Sequence, residues 1–463
     1  MASIFSSGLV IAAGTYDGVL AGWEFAEETK RNIDKTDARA LTLSFATAVH
    51  EGSIRNLCMA GSVKKNEPGA LLSCGYDETL RTHDWNKRQT SNGEIRTPAG
   101  FGTPICSAFA PPTGQSTHCV VGFSSDGKIC IYKKRDWSVQ HTLAGHAGGI
   151  GALAVHPTGK LALSGGVIDG KLKLWDLTKG RLSFVSKINP ASTHAGRARY
   201  DTIASVIWSE GGDFYAFAHG PHVTVREVAT GKTLLDVEMP SRVNQVALMS
   251  GPEGLFVVAA CNDGSLPVLA VEDNKEESRK AIMAIEPVDS HLAGEERFKC
   301  IQSVRDYYVV TANSAGVVSL MNLQGAINMM MSDPVSEDEN SLPEDDESDE
   351  QDSDNDDDTE LAVEIIESVR LGTGARITCL AAWCKTTETQ LDEAEEQKAI
   401  DKIKKEKEKK EKEKEPVVKQ STYKRTFDQA EEFMDPEAVK KARSLVKKAK
   451  KLKTKRDKKK IKN

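Results

Sequence analysis

His146, Ser164, Asp169 and Trp175 stand within a span of 30 residues. A Ser–His–Asp set is what nucleophilic hydrolases use: the imidazole takes the hydroxyl proton and the carboxylate orients the imidazole. The surroundings argue against that chemistry. Ser164 sits in Leu161-Ala162-Leu163-Ser164-Gly165-Gly166, which lacks the GxSxG turn that exposes a nucleophile above a sheet. No GxxxxGK[ST] phosphate loop and no HExxH pair occurs, and the other histidines lack metal-ligand spacing. The same four side chains serve equally well as a buried hydrogen-bonded chain, because polar groups taken out of water must find partners. No catalytic, cofactor-binding or metal-ligating residue is therefore expected, and the chain reads as a binding platform.

The elements that carry these residues explain their spacing. From Gly145-His146 to Trp175-Asp176 the chain shows an apolar strand, a Pro157/Gly159 turn and a second strand. An Asp169-Gly170 hairpin signal and a third strand complete the unit. The Gly-His opening and Trp-Asp close are the signature of WD40 blades. With the turn residue and the position six later as rulers, the frame recurs at Asp17/Trp23, Asp77/His83, Asp126/Tyr132, Asp263/Leu269 and Ala315/Met321. Gly220 marks the remaining turn. The turns lie 60, 49, 43, 51, 43 and 52 residues apart, which fits blades of about 40–45 residues with loop insertions. Seven turns predict an all-β, seven-bladed propeller.

Ring closure is also legible. His50 through Leu57 aligns with His146 through Leu153, so innermost strands precede the turns. Asp17 is too near the start to have one, and the missing strand is found at Ala375–Trp383. Pairing it with the N-terminal strands closes the ring and removes free sheet edges. The propeller is expected over 1–384, with a disordered acidic insertion at 327–361 in the last blade, followed by a charged tail over 385–463.

Charge is segregated. Residues 332–360 hold sixteen acids and no Lys or Arg, and 440–463 hold fourteen cations and one acid. From the total of -7, the remainder is -7 + 16 - 13 = -4. The acidic run is expected to stay unfolded by self-repulsion; Ser336, Ser341 and Ser353 each have an acid three residues on, as acidophilic kinases require. Residues 388–415 are dominated by Glu and Lys and could form a solvated, marginal helix. Beyond it, Lys447, Lys448, Lys450, Lys451, Lys453, Lys455, Arg456, Lys458, Lys459 and Lys460 form a run dense enough for nucleolar targeting and phosphate contact. Aromatics are absent after Phe433, so such binding should be blind to sequence.

Nine cysteines without a CxxC pair are expected as free thiols in a reducing compartment. Cys379 and Cys384 have no His pair nearby to complete a zinc site. Gly8–Gly14 lacks the basic residues of a signal peptide, and no apolar run approaches the roughly 18 residues of a membrane helix. A soluble intracellular monomer is expected. Tyr16, Arg55 and Tyr76 are, by position, candidates for a partner face on the ring.

The run HPTGKLALSGGVIDGKLKLWDLTKGRLSFVSKI, together with VIAAGTYDGVLAGW at the start and ARITCLAAW at the close, resembles a particular WD40 family. That family comprises the p21-activated-kinase-interacting proteins and their fungal relative, the maintenance-of-killer WD40 protein. The resemblance covers roughly residues 8–384, and the tail is of the same character. The acidic insertion and the degenerate blade at 260–325 depart from it. The resemblance implies a nucleolar assembly factor for the large (60S) ribosomal subunit, whose propeller holds pre-60S ribosomal proteins and assembly factors while the tail contacts pre-rRNA. It implies, as the alternative, a negative regulator that binds a p21-activated kinase. A substrate receptor of a ubiquitin ligase is a third class that no sequence feature favours.

Overall fold

The computed structural model describes residues 8–25, 41–62, 67–85, 89–112, 115–190, 192–194, 197–271, 280–281, 297–331, 363–372 and 374–384. The acidic run from 332 and every cation singled out in the tail, Lys447 to Lys460, lie outside them.

Seven four-stranded antiparallel sheets form the blades of a propeller. The innermost strands of blades 1 to 7 are Ile377–Cys384, Ile54–Ser62, Pro104–Ala110, Ile150–Val155, Ile203–Trp208, Val243–Gly251 and Phe298–Arg305. Each of these strands adjoins the next, so they line a closed ring. Blade 1 is composite: Leu41–Ala48, Val19–Phe25 and Leu9–Thr15 come from the start of the chain, and Ile377–Cys384 from the far end of the ring. Its register runs from Leu9 opposite Cys384 to Thr15 opposite Ile377.

The strands are apolar on both sides because both sides are covered. Leu9–Thr15 is buried at all seven positions. Leu9, Ile11 and Ala13 pack with Tyr308, Val310 and Val318 of blade 7, while Val10 and Ala12 pack with Ile54 and Leu71 of blade 2. The same holds around the ring: seven buried clusters each straddle two neighbouring blades, the last joining blade 7 to blade 1. A side chain such as Ile11 contributes about 1.5–3 kcal/mol on burial. No blade has a core of its own, so this stabilisation is available only to the assembled ring.

One expectation is corrected. The insertion in the last blade was expected to be unfolded from residue 327, but Gln324–Met331 is an α-helix. Asn322 Oδ1 accepts the Gln324 N–H at 3.1 Å and so caps its first turn. Leu323 and Ile327, four residues apart, lie on one helical face and are buried in the cluster between blades 6 and 7. The apolar residues at the start of the insertion therefore complete a core, and the acidic composition begins only after them.

Candidate functional site

Blade 4 holds the four residues that could do chemistry in a hydrogen-bonded line. His146 Nδ1 lies 3.0 Å from Asp169 Oδ2, and His146 Nε2 lies 2.7 Å from Ser164 Oγ. Trp175 Nε1–H donates to the same Ser164 oxygen at 2.8 Å. The line has one sense: indole N–H to hydroxyl, hydroxyl to imidazole, imidazole to carboxylate. Ser164 is 0% exposed and its oxygen already accepts the indole proton, so no acyl group could reach it. What the line does is join the second and third strands of one blade, the hairpin between them and the loop that leads into its innermost strand.

Blade 2 carries a second line that the sequence reading did not assemble. His50 Nδ1 lies 3.0 Å from Asp77 Oδ1, His50 Nε2 lies 2.7 Å from Ser73 Oγ, and Ser73 Oγ lies 2.8 Å from His83 Nε2. His83 takes the place of the tryptophan. Two signals were in the sequence: the alignment of His50 with His146 and the six-residue step from Asp77 to His83. Burial, and then the charge of His50, push His83 down to about 4. Burial also lowers His50, against the opposing pull of Asp77. Burial works to raise Asp77, but hydrogen bonds from Thr79, the Glu51 N–H and His50 outweigh it and hold the carboxyl below its usual value. With both values held below 6.5, the two imidazoles are predominantly neutral at pH 7.

A glycine makes room for each pair. The residue opposite the first position of the innermost strand is Gly75 in blade 2 and Gly166 in blade 4. A Cβ at Gly166 would overlap Asp169 Oδ1 and come 2.7 Å from His146 Nδ1, and one at Gly75 would overlap Asp77 and His50. In the other blades this position holds Thr15, Phe123, His219, Cys261 or Asn313, and no His–Asp pair is built there. Thr15 and Asn313 instead cap their own turns, accepting the N–H groups of Val19 and of Ala315 and Val317.

Neighbouring innermost strands are also stitched by polar side chains. Asn56 Oδ1 accepts from the Ser107 N–H and hydroxyl, Gln245 Oε1 from the Ile301 N–H, and Gln302 grips both the N–H and the carbonyl of Ala382. Thr378 donates to the carbonyls of Gly14 and Ile54. Blade 1 is thereby tied to both of its neighbours.

Tyr16, Arg55 and Tyr76 come together on one rim. Tyr16 and Tyr76 precede the hairpin turns of the adjacent blades 1 and 2 and are 60% and 63% exposed. The Tyr16 N–H is held by the Arg376 carbonyl, and that of Tyr76 by the Ser53 carbonyl, each at 2.9 Å. Arg55 is exposed at a β-bulge, the second residue of its innermost strand. Ile168, also 60% exposed, stands at the equivalent turn of blade 4. All nine cysteines are free thiols. Among the described residues no group of three His, Cys, Asp or Glu side chains could hold a metal, and no helix is long and apolar enough to cross a membrane.

Comparison with known proteins agrees with this architecture. Residues 137–176, the end of blade 3 and most of blade 4, match the family model for the WD domain, G-beta repeat. A Xenopus laevis protein named p21-activated protein kinase-interacting protein 1-like is 24% identical over 81% of this chain and 81% of its own length. Shk1 kinase-binding protein 15 of Schizosaccharomyces pombe is 25% identical over 67% of this chain and 77% of its own. Protein MAK11 of Saccharomyces cerevisiae is 29% identical over 20% of this chain and 25% of its own.

Proposed function

Because this chain belongs to the WD40 family of the p21-activated-kinase-interacting proteins, we propose that it is a non-catalytic scaffold for assembly of the large (60S) ribosomal subunit and processing of its rRNA, resident in the nucleolus. On this reading the ring holds pre-60S ribosomal proteins and assembly factors, and the Lys-rich end contacts the pre-rRNA backbone. The observation that carries it is charge segregation: fourteen cations crowd into 440–463, while the chain outside that run and the acidic run has a net charge of only -4. Solubility does not need so dense a run, and a phosphate backbone does. The ring adds support, since its Ser–His–Asp chemistry is spent inside the blades and its exposed side chains are left for contact. The tail would raise the local concentration of the ring at rRNA, as a second linked site does.

A second reading, a scaffold for a p21-activated kinase, is favoured by the names of the Xenopus and fission-yeast relatives. Sedimentation of the tagged protein from its own cells separates the two. Co-migration with large-subunit precursors, lost on ribonuclease treatment or on removal of residues 385–463, is the expected result. A light, ribonuclease-insensitive species that carries a kinase would overturn it. With roughly 6–10 phosphates engaged, affinity for duplex RNA should fall about 10³–10⁵-fold between 50 and 200 mM salt. Equal RNA affinity with and without the tail would remove the tail from the account.

A further inference from the structure

The ring has a charged end. Two positions recur where each innermost strand begins: the residue just ahead of the strand, and a bulged second residue. The first is arginine in three consecutive blades, Arg242, Arg297 and Arg376 in blades 6, 7 and 1. Their carbonyls hold the turn N–H groups of Asn262, Ser314 and Tyr16, each at 2.9 Å, so the three occupy equivalent places. The second position is Lys299 in blade 7 and Arg55 in blade 2. In every other blade both positions are neutral, and neither is acidic anywhere in the ring. Five cations thus form an arc over the adjacent blades 6, 7, 1 and 2.

The four arginines are exposed and Lys299 is half-buried. Burial, and then the nearby Arg297 and Arg242, lower the Lys299 ammonium below its usual value, which places three like charges close together. Among the described residues, the ion pairs lie elsewhere in the molecule. At the other end of the ring the turns of blades 5, 6 and 7 carry Glu210, Glu253 and Asp306.

We propose that this arc is a docking site for an acidic, extended polypeptide segment of a partner protein, seated at the channel mouth between Tyr16 and Tyr76 on one side and Arg242 on the other. Neighbouring innermost strands approach within 8 Å between Cα atoms. Alternate residues of an extended chain lie about 7 Å apart on one face, so such a segment can present a row of carboxylates to the cations of the adjoining blades. Guanidinium forks bind carboxylates in bidentate fashion. The exposed tyrosines add contact area at low entropic cost. A single-stranded nucleic acid is the competing occupant, and the oligouridylate arm of the test separates the two. The proposal rests on the reading of the ring as the protein-binding part of the scaffold.

The test uses the full chain and two fluorescent probes, a synthetic peptide of alternating Glu and Ala and an oligouridylate, followed by anisotropy at about 0.15 M salt, where long-range attraction is screened. The triple variant Arg242→Glu/Arg297→Glu/Arg376→Glu should weaken the peptide by about tenfold or more. The control Arg135→Glu/Arg181→Glu, which reverses exposed charges elsewhere on the ring, should not. The tail is the same in all three proteins, so its own attraction for the peptide cancels in the comparison. A carbodiimide crosslink from the peptide to Lys299, mapped by mass spectrometry, should form in the wild type and the control and vanish in the triple variant. The exposed Arg297→Gln serves as the milder variant should the triple variant melt early, and it should still weaken the peptide. Equal binding by wild type and charge-reversed ring, or equal loss in the control, overturns the proposal. Loss of the oligouridylate alone makes the mouth a nucleic-acid site and also overturns it. If the peptide result holds while the protein fails to co-sediment with ribosomal precursors, the ribosomal reading fails and the docking site stands.

Discussion

Blades 4 and 7 have the same four strands and are held together in different ways. In blade 4 the hairpin is tied to the blade interior by a buried polar line, Trp175 to Ser164 to His146 to Asp169. In blade 7 Thr311 and Met321 stand at the places of Ser164 and Trp175, and Asn313 at that of Gly166: a threonine hydroxyl 4.0 Å from a thioether, and an amide that caps its own turn. Blade 7 compensates with apolar faces, since Val309, Val310, Ala312, Val318 and Leu320 are all 0% exposed. The polar line gives one blade a specific register, and apolar packing gives the other tolerance of substitution. The family signature is a feature of the first device, and residues 137–176, which carry it, match the repeat model.

The contrast can be broken most severely at Gly166. Gly166→Ala puts a methyl group onto the Asp169–His146 pair and should cost about 3 kcal/mol or more, as overpacking and a broken network do together. Cys261→Ala, at the same place in blade 6, which serves no His–Asp pair, should cost about 1 kcal/mol. Urea unfolding compares them, and equal costs would show that the glycine is not reserved for the pair.

Ser164→Ala comes next. It leaves the buried Trp175 Nε1 and His146 Nε2 without partners and should cost about 2–4 kcal/mol. Thr311→Val in blade 7, where the hydroxyl meets only a sulfur, should cost less than about 1 kcal/mol.

A smaller effect sharpens the role of blade 2. His83 sits at about 4 in the folded protein against 6.5 for the free side chain. Between those values the unfolded chain binds more protons, so stability is full above pH 6.5 and falls as the pH drops toward 4. Going from pH 7 to 5 should lose about 2 kcal/mol through His83, with His50 adding in the same direction. His83→Trp, which installs the blade 4 residue, should flatten the dependence measured by urea unfolding at stepped pH. An unchanged slope would mean that other groups carry it.

The smallest effect is expected at blade 3, whose turn aspartate is exposed and pairs only with Lys128, at 3.2 Å. Asp126→Asn should change stability by no more than about 0.5 kcal/mol, and the left-handed backbone at φ 55° suits asparagine as well as aspartate. A larger loss would mean that even a degenerate blade depends on its turn charge.

Reading the sequence located the seven turns, the composite first blade and the four residues of the blade 4 line, because each rests on short-range pattern: strand periodicity, a Gly-containing hairpin, a fixed step from turn to tryptophan. It did not assemble the line of blade 2. There the final tryptophan is His83, and Ser73 stands four residues before its aspartate where Ser164 stands five before Asp169. It also ended the folded part of the last blade too early, since composition alone could not show that Ile327 had a core to enter.

The amino-acid sequence by itself determined that this is a seven-bladed ring with two charged appendages, because alternation, turn chemistry and net charge are local properties summed along the chain. Only the tertiary structure decided what lies beside what. Loops of unequal length separate Arg242, Arg297 and Arg376 in the sequence, and no period connects them. Ring closure places their three strands side by side, and a bulge in each innermost strand re-aims its second residue. The arc of cations at the mouth is therefore a property of the closed ring, set by the pairing of Leu9–Thr15 with Ile377–Cys384.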